Sequence, residues 1–143
     1  MLKKKTLLVL LALAMLVPCV LMCFTSCGGG LDTDAAKEYI LDFMREIKAG
    51  DYDAAQEYLH PDIADDDVKA YIDSVEADER VDFQSGITVL AYTNFYQAIY
   101  DSKYDGSALE LEMEIEVSGE ELEVYAVVVE NDRGYGIYAF VID

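Results

Sequence analysis

The residues of this chain that could carry chemistry are few and unevenly spread. His60 is the only histidine, within the stretch LHPD, and Cys19, Cys23 and Cys27 are the only cysteines. Nucleophilic catalysis needs a base beside the nucleophile. His60 sits where Pro61 stops a helix, which suits a C-terminal capping or surface residue better than a base, and no G-x-S-x-G occurs. A zinc site wants several His and Cys ligands, and the folded part of the chain does not supply them. Calcium is the fairer question, because HPDIADDDV groups Asp62, Asp65, Asp66 and Asp67. An EF-hand loop would alternate its acids and place a glycine at its sixth position. This run does neither, and Asp65 as a helix N-cap accounts for it. The expectation is a protein that is not an enzyme, with no metal and no cofactor.

The cysteines point elsewhere. Lys3, Lys4 and Lys5 open the chain, and an apolar run from Leu7 to Phe24 follows, relieved by Pro18. A basic start, an apolar middle and small residues at the end describe a secretory signal peptide. The run is also long enough to raise an uncleaved membrane anchor, since a spanning helix needs roughly 20 such residues. FTSC resembles the lipobox of bacterial lipoproteins, with Thr25 and Ser26 as the small pair and Phe24 where leucine is usual. That resemblance implies cleavage before Cys27, which would become the lipid-bearing N-terminus at the extracytoplasmic face of the cell membrane. The expected organisation is a signal peptide over 1–26, a lipidated cysteine and glycine-rich tether over 27–33, and one domain over 34–143. With one acylated cysteine left, a disulfide framework is excluded.

Loss of the signal leaves 117 residues, enough for one domain. It also removes three lysines and no acid, so seven bases face 29 acids at a formal charge of −22. Such a chain is repelled by nucleic acid and by anionic headgroups. A basic partner is permitted.

Apolar residues recur first with helical and then with strand period. Ala36, Tyr39, Ile40, Phe43, Met44 and Ile47 form one stripe between Asp34 and Ala49, with Thr33 or Asp34 to cap it and Gly50 to end it. GDYDAAQEYLHP predicts a second helix, capped by Asp51, with Ala55, Tyr58 and Leu59 on one face. DDDVKAYIDSVEAD predicts a third, with Val68, Tyr71, Ile72 and Val75 inward. In LELEMEIEV the period becomes two: Leu109, Leu111, Met113, Ile115 and Val117 alternate with Glu110, Glu112, Glu114 and Glu116. ELEVYAVVV and YGIYAFVID follow after short turns. Ile87 to Tyr100 reads as a long strand, regular or bulged, with Ile87, Val89, Ala91, Phe95 and Ile99 on its core side if the alternation is unbroken; a bulge would flip the register. The fold class is α+β, N-terminal helices on a curved antiparallel sheet of four strands or more.

Helix, IKAGDYDAAQEYLHPD, further short helices and a long sheet closing on an aromatic strand together resemble small extracytoplasmic lipoproteins of the nuclear-transport-factor-2-like superfamily. A cystatin-like packing of helix on sheet is the neighbouring alternative. The resemblance implies a cone-shaped fold, and a superfamily that spans ketosteroid isomerase, polyketide cyclases and members without known activity. Isomerase-type chemistry would need a carboxylate and a tyrosine converging in an apolar cavity, and no acid stands alone within an apolar stripe here.

Two binding surfaces are expected instead. If the odd positions of the first strand face the core, Tyr92, Tyr96 and Tyr100 share the opposite face with Glu112 and Glu114, continuing through Tyr125 into apolar Val127 and Val129. That face would serve a homodimer or a basic protein partner. Alternatively Tyr39, Phe43 and Tyr58 line a cavity between helices and sheet for a small amphipathic ligand, which requires about 300 Å³ or more.

Overall fold

The computed structural model describes residues 30–143. The signal-like segment and Cys27 lie outside the described residues. Helix α1 spans Thr33–Ala49 and buries Ala36, Ile40, Phe43, Met44 and Ile47. Its N-cap is Asp32, earlier than the expected Thr33 or Asp34, and the Asp32 carboxylate accepts the Ala35 N–H at 2.9 Å. Leu31 is already buried, so the folded unit begins before residue 34. Gly50, at φ 74°, closes the helix in the left-handed conformation that a residue with a Cβ adopts only under strain.

Helix α2 covers only Tyr52–Gln56, capped by Asp51. The helical face expected to continue to Leu59 is replaced by strand-like pairing. His60 N–H donates to the Ile137 carbonyl and Ile137 N–H to the Tyr58 carbonyl, both at 2.8 Å. A free sheet edge offers more hydrogen bonds than one further helical turn stopped by Pro61. A 3-10 turn (Pro61–Ile63) leads to helix α3, Val68–Glu79, which buries Val68, Ile72 and Val75. Its N-cap is Asp67, not the expected Asp65.

Four strands complete the chain: β1 Ile87–Asp101, β2 Gly106–Val117, β3 Glu120–Asn131 and β4 Gly134–Ile142. They pair antiparallel in the order β1-β2-β3-β4, an open α+β arrangement with the helices on one face. Leu109, Leu111, Met113, Ile115 and Val117 are all at most 1% exposed. Burying each such side chain is worth roughly 1.5–3 kcal/mol.

The expected alternation of β1 fails part-way. Ile87 and Val89 pair with Val117 and Ile115 on the core side, but the register then shifts between Val89 and Ala91 and again between Tyr92 and Asn94. Each shift inserts one residue and reverses the sides beyond it. Ala91, expected inside, pairs with Glu114 on the helix-free face, whereas Tyr92 pairs with Met113 on the helix side. The second shift returns Phe95 to the helix side opposite Leu111. Neither Phe95 nor Ile99 becomes core, however, for the helices do not cover this end of the strand and both stay at least half exposed.

The two edges of the sheet are therefore unlike. Residues 58–60 lie against β4, and Gly136 makes room for them: a Cβ there would come within 2.6 Å of His60 N and 2.8 Å of the Leu59 carbonyl carbon. Gly136→Ala should cost about 1–3 kcal/mol by overpacking backbone against backbone. A urea titration showing an unchanged midpoint would mean the contact is not needed.

Candidate interaction surface

The helix-free face of β2 and β3 is a field of carboxylates. Glu114 stands directly opposite Glu123, and Glu116 opposite Glu121, while Glu112 faces Tyr125. Like charges directly opposed across a sheet destabilise it by about 0.2–1 kcal/mol per pair. Among the described residues the ion pairs lie elsewhere, at Arg45 with Glu38 and Asp42, Lys69 with Asp73, and Arg133 with Asp62. The acidic rows are thus left without a counter-charge from their own domain.

The expected aromatic row divides. Tyr96 pairs with Glu110 and shares the acidic face, but Tyr92 lies on the helix side, where the Lys37 ammonium sits 4.6 Å from the centre of its ring. The Tyr100 hydroxyl donates to the Asp105 carboxylate at 2.9 Å.

Nor does the face continue into open apolar surface. Val127 and Val129 are fully buried beneath Tyr104, which folds over them from the β1–β2 turn and meets Tyr138 edge-on at 5.1 Å. Lys103 donates to the Tyr104 hydroxyl at 2.7 Å, and that hydroxyl donates to Glu110 at 3.3 Å. The Asn131 side-chain amide donates to the Tyr104 carbonyl at 2.9 Å.

His60 belongs to the same structural group, fully buried where a surface or C-capping role was expected. Its Nδ1 accepts the Asp62 N–H, capping the 3-10 turn, which leaves Nε2–H to donate to the Asn131 side chain at 3.1 Å. Asn131 therefore ties His60 to the Tyr104 turn. Sequence reasoning passed over Tyr104 and Asn131. The available signal was that Val127 and Val129 point away from the helices and need a cover, for which the only aromatic in DSKYDG is the nearest candidate.

A carboxylate and a tyrosine do meet at Glu110 and Tyr104, but Tyr104 is 2% exposed under its own turn and lines neither of the two grooves described next. Tyr39, Phe43 and Tyr58 pack as a cluster, with Tyr58 ring centres 4.8 Å from Tyr39 and 6.3 Å from Phe43. They do not share one cavity. Phe43 borders a groove of about 490 Å³ between α3 and β4, with Leu59, Val68 and Phe140. Tyr39 borders another of about 470 Å³ beside the start of α1, with Leu31, Ala35 and Tyr135. Tyr58 lines neither. The chain matches no family model, no curated protein and no solved structure.

Burial shapes the titration of these tyrosines. It pushes Tyr39 up to about 12 with help from neighbouring Tyr58, and Tyr125 up to about 12 with help from Tyr104 and Glu110. Tyr135 is raised as well, first by burial and then by Tyr39. A phenol held neutral in the folded state stabilises it fully below the ordinary value of 10.0, and that contribution is lost as pH rises towards 12. Urea midpoints should therefore fall through this window, and Tyr39→Phe should flatten the fall. An identical slope in the variant would show that Tyr39 is not held neutral.

Covering Val127 and Val129 is the work assigned to Tyr104. Tyr104→Ala should cost about 3–5 kcal/mol, as for other large aromatic deletions, and Tyr104→Phe about 1 kcal/mol for its hydrogen bonds. Equal costs, measured by urea unfolding, would place the stabilisation in the hydroxyl network instead.

Proposed function

We propose that this chain is a lipid-anchored extracytoplasmic protein whose domain is an interaction module, and that the helix-free face of its sheet receives a basic protein partner. The anchor reading is supported by the lipobox-like FTSC and by the glycines that link Cys27 to the folded unit. The nuclear-transport-factor-2-like resemblance is part of the proposal and is supported by element order alone. Among the described residues no helix is long and apolar enough to cross a membrane.

The observation that carries the partner reading is the pair of cross-strand contacts Glu114–Glu123 and Glu116–Glu121. A sheet whose outer face needed only to meet water could use threonine or glutamine at these positions without repulsion. Carboxylates opposed in two successive rows become favourable when a cation lies across them. The same charge disfavours a homodimer through this face, because two copies would oppose acid with acid. Capture of a small amphipathic ligand is supported by the 470 Å³ groove beside Tyr39 and Tyr135, which is partly aromatic. Native mass spectrometry of the protein released gently from membranes should show it without a bound small molecule; a retained mass would favour the groove.

Binding of an oligolysine peptide to the lipidated chain in nanodiscs tests the face. Glu114→Lys should weaken binding about tenfold, equivalent to about 1.4 kcal/mol, while Asp65→Lys, on an exposed turn, should leave it nearly unchanged. Equal losses would mean that net charge alone draws the peptide, and the proposed face would be wrong.

A further inference from the structure

Among the described residues, the large apolar side chains left exposed lie on β1, with Val141 the exception. Exposure grows toward the far end of the strand, from 45% at Leu90 through 50% at Phe95 to 71% at Ile99. From Ile87 to Tyr100 there is no charged residue, in a chain that is 27% charged. Edge strands are ordinarily blunted by lysine or proline, and this one has neither.

The chain enters the domain at that same end. A Cβ on Gly30 would lie 3.4 Å from Ile99 Cγ1. The entry is pinned there: the Gln97 side-chain amide donates to the Leu31 carbonyl, and the Thr33 hydroxyl donates to the Gln97 side-chain oxygen at 3.0 Å. Gly30 follows Cys27 by three positions, and three steps span at most about 11 Å even when fully extended.

We propose that the distal half of β1, Phe95 to Tyr100, is a membrane-seating surface that rests in the headgroup region of the bilayer holding the lipidated Cys27. The inference rests on the lipid-anchor reading above. A lipid on Cys27 puts that residue at the bilayer surface, and the short tether then keeps Ile99 within about 15 Å of it. Phe95 and Tyr96 project to opposite sides of the sheet, so the strand can enter the interface edge-on with apolar or aromatic groups on both flanks. Tyrosine suits that depth, its ring among the upper acyl carbons and its hydroxyl among the headgroups. The absence of charge from Ile87 to Tyr100 and the acidity of the domain select a zwitterionic surface over an anionic one.

A second copy fits this edge less well. The strand is interrupted by three register shifts, which bend an edge away from flat pairing. The Asn94 side chain already accepts the Phe95 N–H at 2.8 Å. Two strongly acidic domains would also have to approach each other.

The chain contains no tryptophan, so a single introduced indole reports without background. The full chain is purified from membranes with Ile99→Trp, Phe95→Trp or, as a distant exposed control on α3, Ala77→Trp. Its mass is read for the diacylglyceryl group, and it is reconstituted in phosphatidylcholine vesicles carrying doxyl-labelled lipid. The expected result is lipidated protein with strong quenching at position 99, weaker quenching at 95 and none at 77. A mature mass without the lipid overturns the anchor reading and the seating with it. Lipidated protein quenched at none of the positions, or equally at all three, overturns the seating alone. Emission at 99 that shifts to the blue with protein density but is not quenched would mean that a second copy covers the strand, and also overturns it.

Discussion

Strand β2 carries the constraint on which the rest of the domain depends. It alternates strictly between aliphatic side chains and glutamates, and pairs with a neighbour on each side. One of its faces must be roofed completely, and the other must stay in contact with water or with cations. A slip of one residue would drive Glu110 to Glu116 into the core and Leu109 to Val117 out of it. The register between β2 and β3 accordingly runs unbroken from Gly106 opposite Asn131 to Val117 opposite Glu120. The irregularities fall in the outer strands, three along β1 and one between Val127 and Val128 of β3 against β4. The centre of the sheet is fixed by the cost of misplacing charge, and the edges absorb the bending.

Much of this architecture was legible in the sequence because it follows from single-element periodicity. The stripe Ala36–Ile40–Phe43–Met44–Ile47, the caps Asp51 and Gly50, the strand LELEMEIEV and the order of helices before strands each express one local preference, and none of them conflicts with its neighbours. The misreadings occur where a tertiary contact competes with a local one. Residues 57–60 exchange a helical turn for the edge of β4, a choice set by the bare Cα of Gly136, seventy-odd residues away. The three inserted residues of β1 leave no compositional mark, so the length of ITVLAYTNFYQAIY can raise a bulge but not place it. In the fold Tyr96 and Glu114 share the helix-free face, and Tyr92 does not.

The resulting molecule is asymmetric in a way that matters for binding. The β4 edge is paired at Ile137 by residues 58–60, and the helix side is filled largely by aliphatic and aromatic side chains. Two surfaces remain unmet by the domain: the rows of glutamate on β2 and β3, and the uncharged stretch of β1 from Phe95 to Tyr100. They call for opposite environments, one cationic and one apolar, and they lie at adjacent parts of the same sheet. Under the proposed anchoring, a domain tethered at the β1 end would answer both demands at once, with the bilayer meeting the first residues of the fold and a basic partner meeting the sheet.

The acidic face stores repulsion that no ion pair among the described residues relieves. The most direct measurement is the urea midpoint as a function of sodium chloride concentration for three proteins: the wild type, Glu114→Gln/Glu116→Gln, and Asp65→Asn/Asp66→Asn, which removes the same charge from an exposed turn. Only the sheet variant should be more stable than wild type at low salt, and its midpoint should respond less to added salt. Identical salt responses in the two variants would show that the repulsion is spread over the whole surface, and would contradict the assignment of that face to a basic partner.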